Sequence, residues 1–271
     1  MSSATPALVG RDPDYMLSFA RGLSAIRAFG EGKSELTVAE VARLTGLPRA
    51  SARRCLHTLT VLGYATTNAD GRYELTPAIL TLGQAYSSST NIARIAQPIL
   101  ERVSDTLNES SSVAVLDPNG HDEIVYIARA ATRRILSVNL SVGSRLPAAW
   151  TSMGRVLVAA LDVNTRATFL AHVKLRQYTE HTIADRPGLA AELETVAQQG
   201  FAIVDQELEL GLRSCAVPIV RPDGVVVAAL NVGVHASRGD RASLARDVLP
   251  ILRQAADDIS AGLGTAQRIR S

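Results

Sequence analysis

Residues 36–63, LTVAEVARLTGLPRASARRCLHTLTVLG, constrain the fold more than any other stretch of the chain. Thr37 and Glu40 have the spacing of a capping box, and Leu36 and Val41 are placed to staple the start of that helix. Gly46 supplies a stop, and Pro48 suits the first turn of a second helix, where a missing N–H costs nothing. On a helical period, Ala52, Cys55, Leu56 and Leu59 of the second helix gather on one side. Ala50, Arg53, Arg54 and His57 fall on the other, with Arg49 and Ser51 near the helix start. Such a helix fits the major groove of DNA, where arginine bonds guanine O6/N7 or a phosphate. A lone basic helix face is more often simply solvated, so the sequence that follows has to decide. YATTNADGRYELT continues as two short β-like runs around residues 68–71, a hairpin of the kind that forms a wing. Thr66, Thr67, Asn68 and Arg72 are then placed to meet phosphates or the minor groove. Capping box, turn and wing together predict a helix-turn-helix.

Around this unit the chain divides. Residues 1–14 are expected to form a flexible arm, and residues 15–76 the winged unit. Its first helix, over 15–29, carries Phe19, Leu23, Ile26 and Phe29 at helical spacing as expected core. Thr76-Pro77 opens a linker helix running to the serine-rich residues 87–90. Ala78, Leu82 and Ala85 give that helix a narrow seam suited to dimerisation; the alternative is a passive spacer.

Residues 91–265 read as one α+β domain. A helix over 92–107 is followed by strands at 111–117, 123–129 and 135–140. Helices are expected at 150–161, at 164–172 with Asn164 as its start, and from Asp185-Arg186-Pro187 to Gly200. Strands at 201–205, 214–220 and 225–234 precede a C-terminal helix bearing Leu244, Val248, Ile251, Leu252, Ala255 and Ile259. Five or six mostly antiparallel strands with flanking helices predict a GAF-like or profilin-like sensory domain, a likeness of fold that supplies no function alone.

Composition narrows the function. The formal net charge is only +2, so DNA affinity must come from a local patch. Residues 44–61 provide one, with Arg49, Arg53 and Arg54 and no acid. Cys55 and Cys215 fall in different predicted domains, which fits a reducing cytosol. No signal peptide and no apolar run long enough for a membrane span is apparent, so a cytoplasmic protein without membrane partners is expected. G-x-S-x-G, P-loop, GxGxxG and H-E-x-x-H motifs are all absent. The five histidines are scattered, and no enzyme, metal or cofactor is expected.

Two segments suit a small acid. In residues 142–161 a Gly-containing strand end leads into a helix whose first N–H groups can receive a carboxylate. Thr151 and Ser152 add hydroxyls there, and Leu146, Trp150 and Met153 an apolar wall; a capped helix over packed core is the plainer reading. Residues 205–218 carry Asp205, Glu207 and Glu209 ahead of the strand bearing Cys215, which reads as a pocket-wall or core residue.

RGLSAIRAF, the capping-box helix, GLPRASARRCLHTLTVLGY, VGSRLP…TSMGRVLVA and DQELELGLRSCAVP together resemble the IclR family of bacterial transcriptional regulators, over roughly residues 15–263. IARAATRRILSVNLSVGSRLPAAWTSMGRVLVA resembles its β-ketoadipate-pathway branch. The resemblance implies an N-terminal winged helix-turn-helix, a linker helix and a C-terminal effector-binding domain, assembled as a homodimer or a dimer of dimers. It implies an effector pocket built from Leu146, Ser152, Met153, Asp205 and Cys215. Arg133 and Arg134, typical of the branch, are candidate carboxylate partners, and Trp150 and Met153 favour a longer or aromatic acid. The expected partners are a double-stranded DNA operator and an effector such as an aromatic carboxylate or β-ketoadipate, with RNA polymerase as a further candidate. The expected role is control of aromatic-acid catabolism. The rival is a metabolic enzyme acting on an aromatic or keto acid, with an accessory winged domain.

Overall fold

In the computed structural model the capping box forms in full: Thr37 Oγ1 accepts from the Glu40 N–H at 3.3 Å, and Glu40 Oε2 accepts from the Thr37 N–H at 2.7 Å. The structure describes residues 12–30, 34–83, 91–118, 120–132 and 140–268. They divide into two compact units, Met1–Ser89 and Thr90–Ser271.

The first unit contains α1 (Leu17–Arg27), β1 (Glu35–Leu36), α2 (Val38–Thr45), α3 (Arg49–Val61), β2 (Ala65–Thr67) and β3 (Tyr73–Leu75). Gly46 ends α2 at φ 69°, a left-handed turn that costs a residue without Cβ little. Pro48 stands one position earlier than expected, as the residue preceding α3, with extended backbone at φ −55° and ψ 140°. Strand β1 was not foreseen; it pairs with β3 and makes the wing a three-stranded sheet, β1-β3-β2. The core is Ala25, Leu36, Val41, Ala52 and Leu56.

The expected aromatic core stripe of α1 is corrected. Its inward side is Ala25, with Ala28 and Phe29 beyond the helix end. Phe19 and Leu23 lie round the helix from that side and stay 65% and 40% exposed. After β3, a 3-10 turn Pro77–Ile79 passes into helical residues 80–83; the rest of the expected linker, 84–90, lies outside the described residues, as do residues 1–11 of the arm.

Among the described residues the second unit contains a six-stranded antiparallel sheet, order β6-β5-β4-β9-β8-β7. Its strands are β4 (Ser110–Leu116), β5 (Glu123–Ala130), β6 (Arg145–Pro147), β7 (Ala202–Asp205), β8 (Leu212–Val220) and β9 (Val226–His235). Most of the strand expected at 135–140 lies outside the described residues, and the sixth strand is β6. Successive side chains alternate between faces. On one face Val113, Cys215, Val217, Leu230 and Val232 pack with α4 (Asn91–Leu107) and α8 (Leu249–Arg268). On the other, Ala114, Tyr126, Ala216 and Ala229 meet α5 (Ser152–Ala159) and α7 (Arg186–Gln199), with α6 (Val163–His172) beside them. Asp162, not Asn164, caps α6: its Oδ1 accepts from the Asn164 and Thr165 N–H groups at 3.0 Å.

Helix α5 sits close on the 3-10 turn Ala148–Trp150 that precedes it. A Cβ on Gly154 would fall inside the van der Waals envelope of the Ala148 backbone, which cannot swing aside as a side-chain end can. Gly154→Ala is therefore expected to cost at least ~1–3 kcal/mol, the usual penalty of overpacking. Urea unfolding checks it. The control is Gly22→Ala on α1, where a Cβ meets nothing within 4 Å and a gain of about 0.5–1 kcal/mol is expected.

Candidate nucleic-acid interface and effector site

On α3, Ala52, Leu56 and Leu59 are buried, while Arg49, Ala50, Arg53, Arg54 and His57 are exposed and Ser51 is half-buried. No acid within the described residues pairs with Arg49, Arg53 or Arg54. Three uncompensated guanidiniums on one helix face form a phosphate- and base-reading surface. Cys55, at the edge of the buried stripe, has its thiol pKa pushed up by burial.

The wing is built differently. Arg72 bonds Glu40 Oε2 at 3.0 Å and the Glu35 carbonyl at 3.1 Å. Asn68 Oδ1 accepts from the Asp70 and Arg72 N–H groups at 3.1 and 3.0 Å, and its Nδ2 donates to Glu35 at 3.2 Å. Asn68 fastens the hairpin to β1, and Arg72 fastens it to β1 and to the first turn of α2. Their polar groups are engaged within the protein, while Thr66 and Thr67 are exposed on β2. Glu40 is held below the ordinary carboxylate range, first by the Thr37 backbone N–H, then by the Thr37 hydroxyl and Arg72.

In the second unit, Leu146, Trp150 and Met153 join one apolar cluster. Trp150 Nε1 donates to the Ile183 carbonyl at 2.9 Å and meets Tyr178 edge-on at 5.2 Å. Thr151 Oγ1 caps α5 through the Gly154 N–H at 3.2 Å. Ser152 is fully buried, and its hydroxyl has no partner among the described residues.

Three of the expected site residues have engagements of their own in the protein. Glu207 is the counter-ion of the fully buried Arg155, which reaches it in two bonds of 2.7 and 2.6 Å. Asp205 is paired with Arg213 at 2.8 Å. Burial opposes ionisation of Asp205, yet the Arg213 hydrogen bond and charge hold its carboxyl below the ordinary value; the stability this adds is present above that value and lost as pH falls through the depressed one. Cys215 points to the α4/α8 face, away from Trp150 and Met153, and burial pushes its thiol up to about 12. A strand side chain one position along faces the opposite way, so Ser214 is the residue turned towards the α5 face. Arg133 and Arg134 lie outside the described residues.

A polar row on the α5 face went unforeseen. Ser112 of β4 is paired in register with Arg129 of β5 on one side and Asn231 of β9 on the other, so the three share a face. Arg129 NH1 donates to Ser112 Oγ at 3.0 Å, while its Nε is buried without a partner among the described residues. Burial lowers the Arg129 pKa. Burial also pushes Tyr126, on the same face, up to about 12, so it stands there as a neutral phenol.

Residues 18–69 match the IclR helix-turn-helix domain, and residues 84–261 match the C-terminal domain of the bacterial transcriptional regulator IclR. The chain belongs to the IclR family. Among its IclR-family relatives, the Pca regulon regulatory protein of Pseudomonas putida is 52% identical over 92% of this chain and 84% of its own length. A transcriptional regulator of Rhodococcus sp. RHA1 superposes with a TM-score of 0.82 at 44% identity, covering 93% of this chain and all of the other. An IclR homologue from Microbacterium hydrocarbonoxydans, solved with 4-hydroxybenzoate, superposes with a TM-score of 0.78 at 26% identity, covering 91% of this chain and 98% of the other. As an IclR-family member the protein is a DNA-binding transcriptional regulator rather than an enzyme.

Proposed function

We propose that this regulator senses a small aromatic or related organic acid in its C-terminal unit and controls genes that degrade such acids. The observation that carries the reading is the 52% identity to the Pca regulon regulatory protein, sustained over 92% of the chain. The 4-hydroxybenzoate bound to a homologue of the same fold supports an aromatic effector. In this reading α3 enters the major groove, with Arg53, Arg54 and His57 towards base edges and Arg49, Ala50 and Ser51 at the helix start near the phosphates. Thr67, with Thr66, follows the adjacent backbone, and Asn68 and Arg72 hold the wing in position. Leu146, Trp150 and Met153 form the apolar side of the effector site, and Thr151 and Ser152 its hydroxyl side.

The protein acts in the cytoplasm as a homodimer or a dimer of dimers. Exposed Met16, Leu17, Phe19 and Leu23 give the winged unit an apolar surface for a second copy to cover. Effector binding then changes how two winged units fit two half-sites, and with that the access of RNA polymerase. Thermal shift with protocatechuate, 4-hydroxybenzoate and β-ketoadipate, with acetate as control, tests the effector reading. A ligand at a hundred times its Kd stabilises by about 2.7 kcal/mol, a readily measured rise in Tm. If all three acids leave the Tm where acetate does, the effector reading is lost.

A further inference from the structure

We propose that Arg129 is the carboxylate anchor of the effector site, supported by Ser112 and Asn231. The proposal rests on the organic-acid reading above and names the group that makes the site select an acid.

The other buried or half-buried arginines described in the second unit are matched with acids. Arg155 has Glu207 and Glu192, Arg213 has Asp205, and Arg166 has Glu194. Arg129 has none among the described residues; its single side-chain bond goes to a neutral hydroxyl. That bond occupies NH1 and leaves the Nε–NH2 edge, the planar fork that fits a carboxylate through two parallel hydrogen bonds. A partly buried guanidinium without an anion is costly, and an incoming carboxylate relieves that cost.

The surroundings suit such a ligand. Ser112 Oγ accepts from Arg129, so its own proton remains available for a second acceptor. The Asn231 carboxamide lies in register beside Ser112 and makes no hydrogen bond to any described residue. In register with this row or next to it on the same face stand Ala114, Ala216, Ala229, Gly233 and Ser214, all small. Ser112 is buried, but Arg129, Asn231 and Ser214 keep partial exposure, so the row is not sealed from solvent. The Trp150 and Met153 cluster lies on the same face and offers an apolar side to the rest of the acid.

The test uses the full chain and isothermal titration with 4-hydroxybenzoate, protocatechuate and β-ketoadipate, alongside the primary amides of those that bind. The wild type is expected to prefer an acid over its amide by about 10- to 100-fold, the worth of hydrogen bonds to a charged group. Arg129→Gln should weaken acid binding by about the same factor while leaving the amide nearly unaffected. Arg129→Lys, which keeps the charge and loses the fork, should recover part of the preference. Equal binding of acid and amide by the wild type overturns the proposal, as does an Arg129→Gln variant with the full preference. If Arg129→Gln loses its cooperative melt, Asn231→Leu takes its place: it must weaken the acid more than the amide, and equal weakening overturns the proposal. Acid binding that ignores Arg129 removes this proposal alone, whereas a wild type that binds none of the acids removes the organic-acid reading and the proposal together.

Discussion

Arg155→Ala is expected to cost about 3–5 kcal/mol of stability in the second unit, the usual price of leaving one member of a buried ion pair alone. Arg155 is fully buried; its Nε donates to the Ala149 carbonyl at 3.0 Å, and NH1 also reaches Glu192 at 3.3 Å. Without it, Glu207 stays buried with the Ile183 N–H at 3.0 Å as its remaining side-chain partner. The same loop is held by Thr182 Oγ1 donating to the Glu207 carbonyl at 2.6 Å. Arg155 thus ties the start of α5 to the turn between β7 and β8 and to the segment before α7. Trp150, the single tryptophan, is buried and bonded to Ile183, so its fluorescence in urea reports this unit. Arg155→Met combined with Glu207→Leu should recover much of the loss, because an apolar pair of similar volume leaves no buried charge. A single-variant loss below about 1 kcal/mol, or a double variant no better than the single, would contradict this role.

Arg53→Ala and Arg54→Ala should each weaken binding to the protein's own operator by about 1–3 kcal/mol if the side chain reads a guanine. Both side chains are exposed and bonded to no described residue, so the melting temperature should hardly move. Competition with random duplex separates the two roles. A base reader loses mainly specific affinity; a phosphate contact loses both alike and lowers the salt slope by about 1. Arg72→Ala is the useful contrast, since it removes the bonds to Glu40 and Glu35 and must disturb the wing as well. If Arg53→Ala and Arg54→Ala both bind the operator like the wild type, α3 is not the reading helix.

The parts legible in the sequence are those written in neighbouring residues. The Thr37–Glu40 box, the Gly46 stop, the basic face of α3 and the hairpin over 65–75 each depend on spacings of a few positions. The antiparallel α+β character of the second unit followed from turns between strands. Partners far apart in the chain were not legible: Arg155 and Glu207 are 52 positions apart, and Glu207 read alone looked like a ligand group. Cys215 and Ser214 differ by one position and face opposite sides, a choice only strand register makes. Arg129 was hidden for a related reason. A register shift between Val113 and Ala114 breaks the simple alternation of β5, so counting from Tyr126 does not place Arg129 beside Ser112. In α1, Phe19 and Leu23 share a helical spacing with Phe29 that suggested core, but the helix approaches its neighbours along the side of the small Ala25, and of these three only Phe29 packs there.

The most direct measurement is a DNase footprint of the full-length protein over its own upstream region, titrated with salt and with each acid that raises the Tm. The expected result is protection of paired half-sites about 10 base pairs apart or a multiple of that, lost as salt rises and altered in occupancy or pattern by the acid. Binding no tighter than to random duplex, or a footprint that every stabilising acid leaves unchanged, would contradict the account.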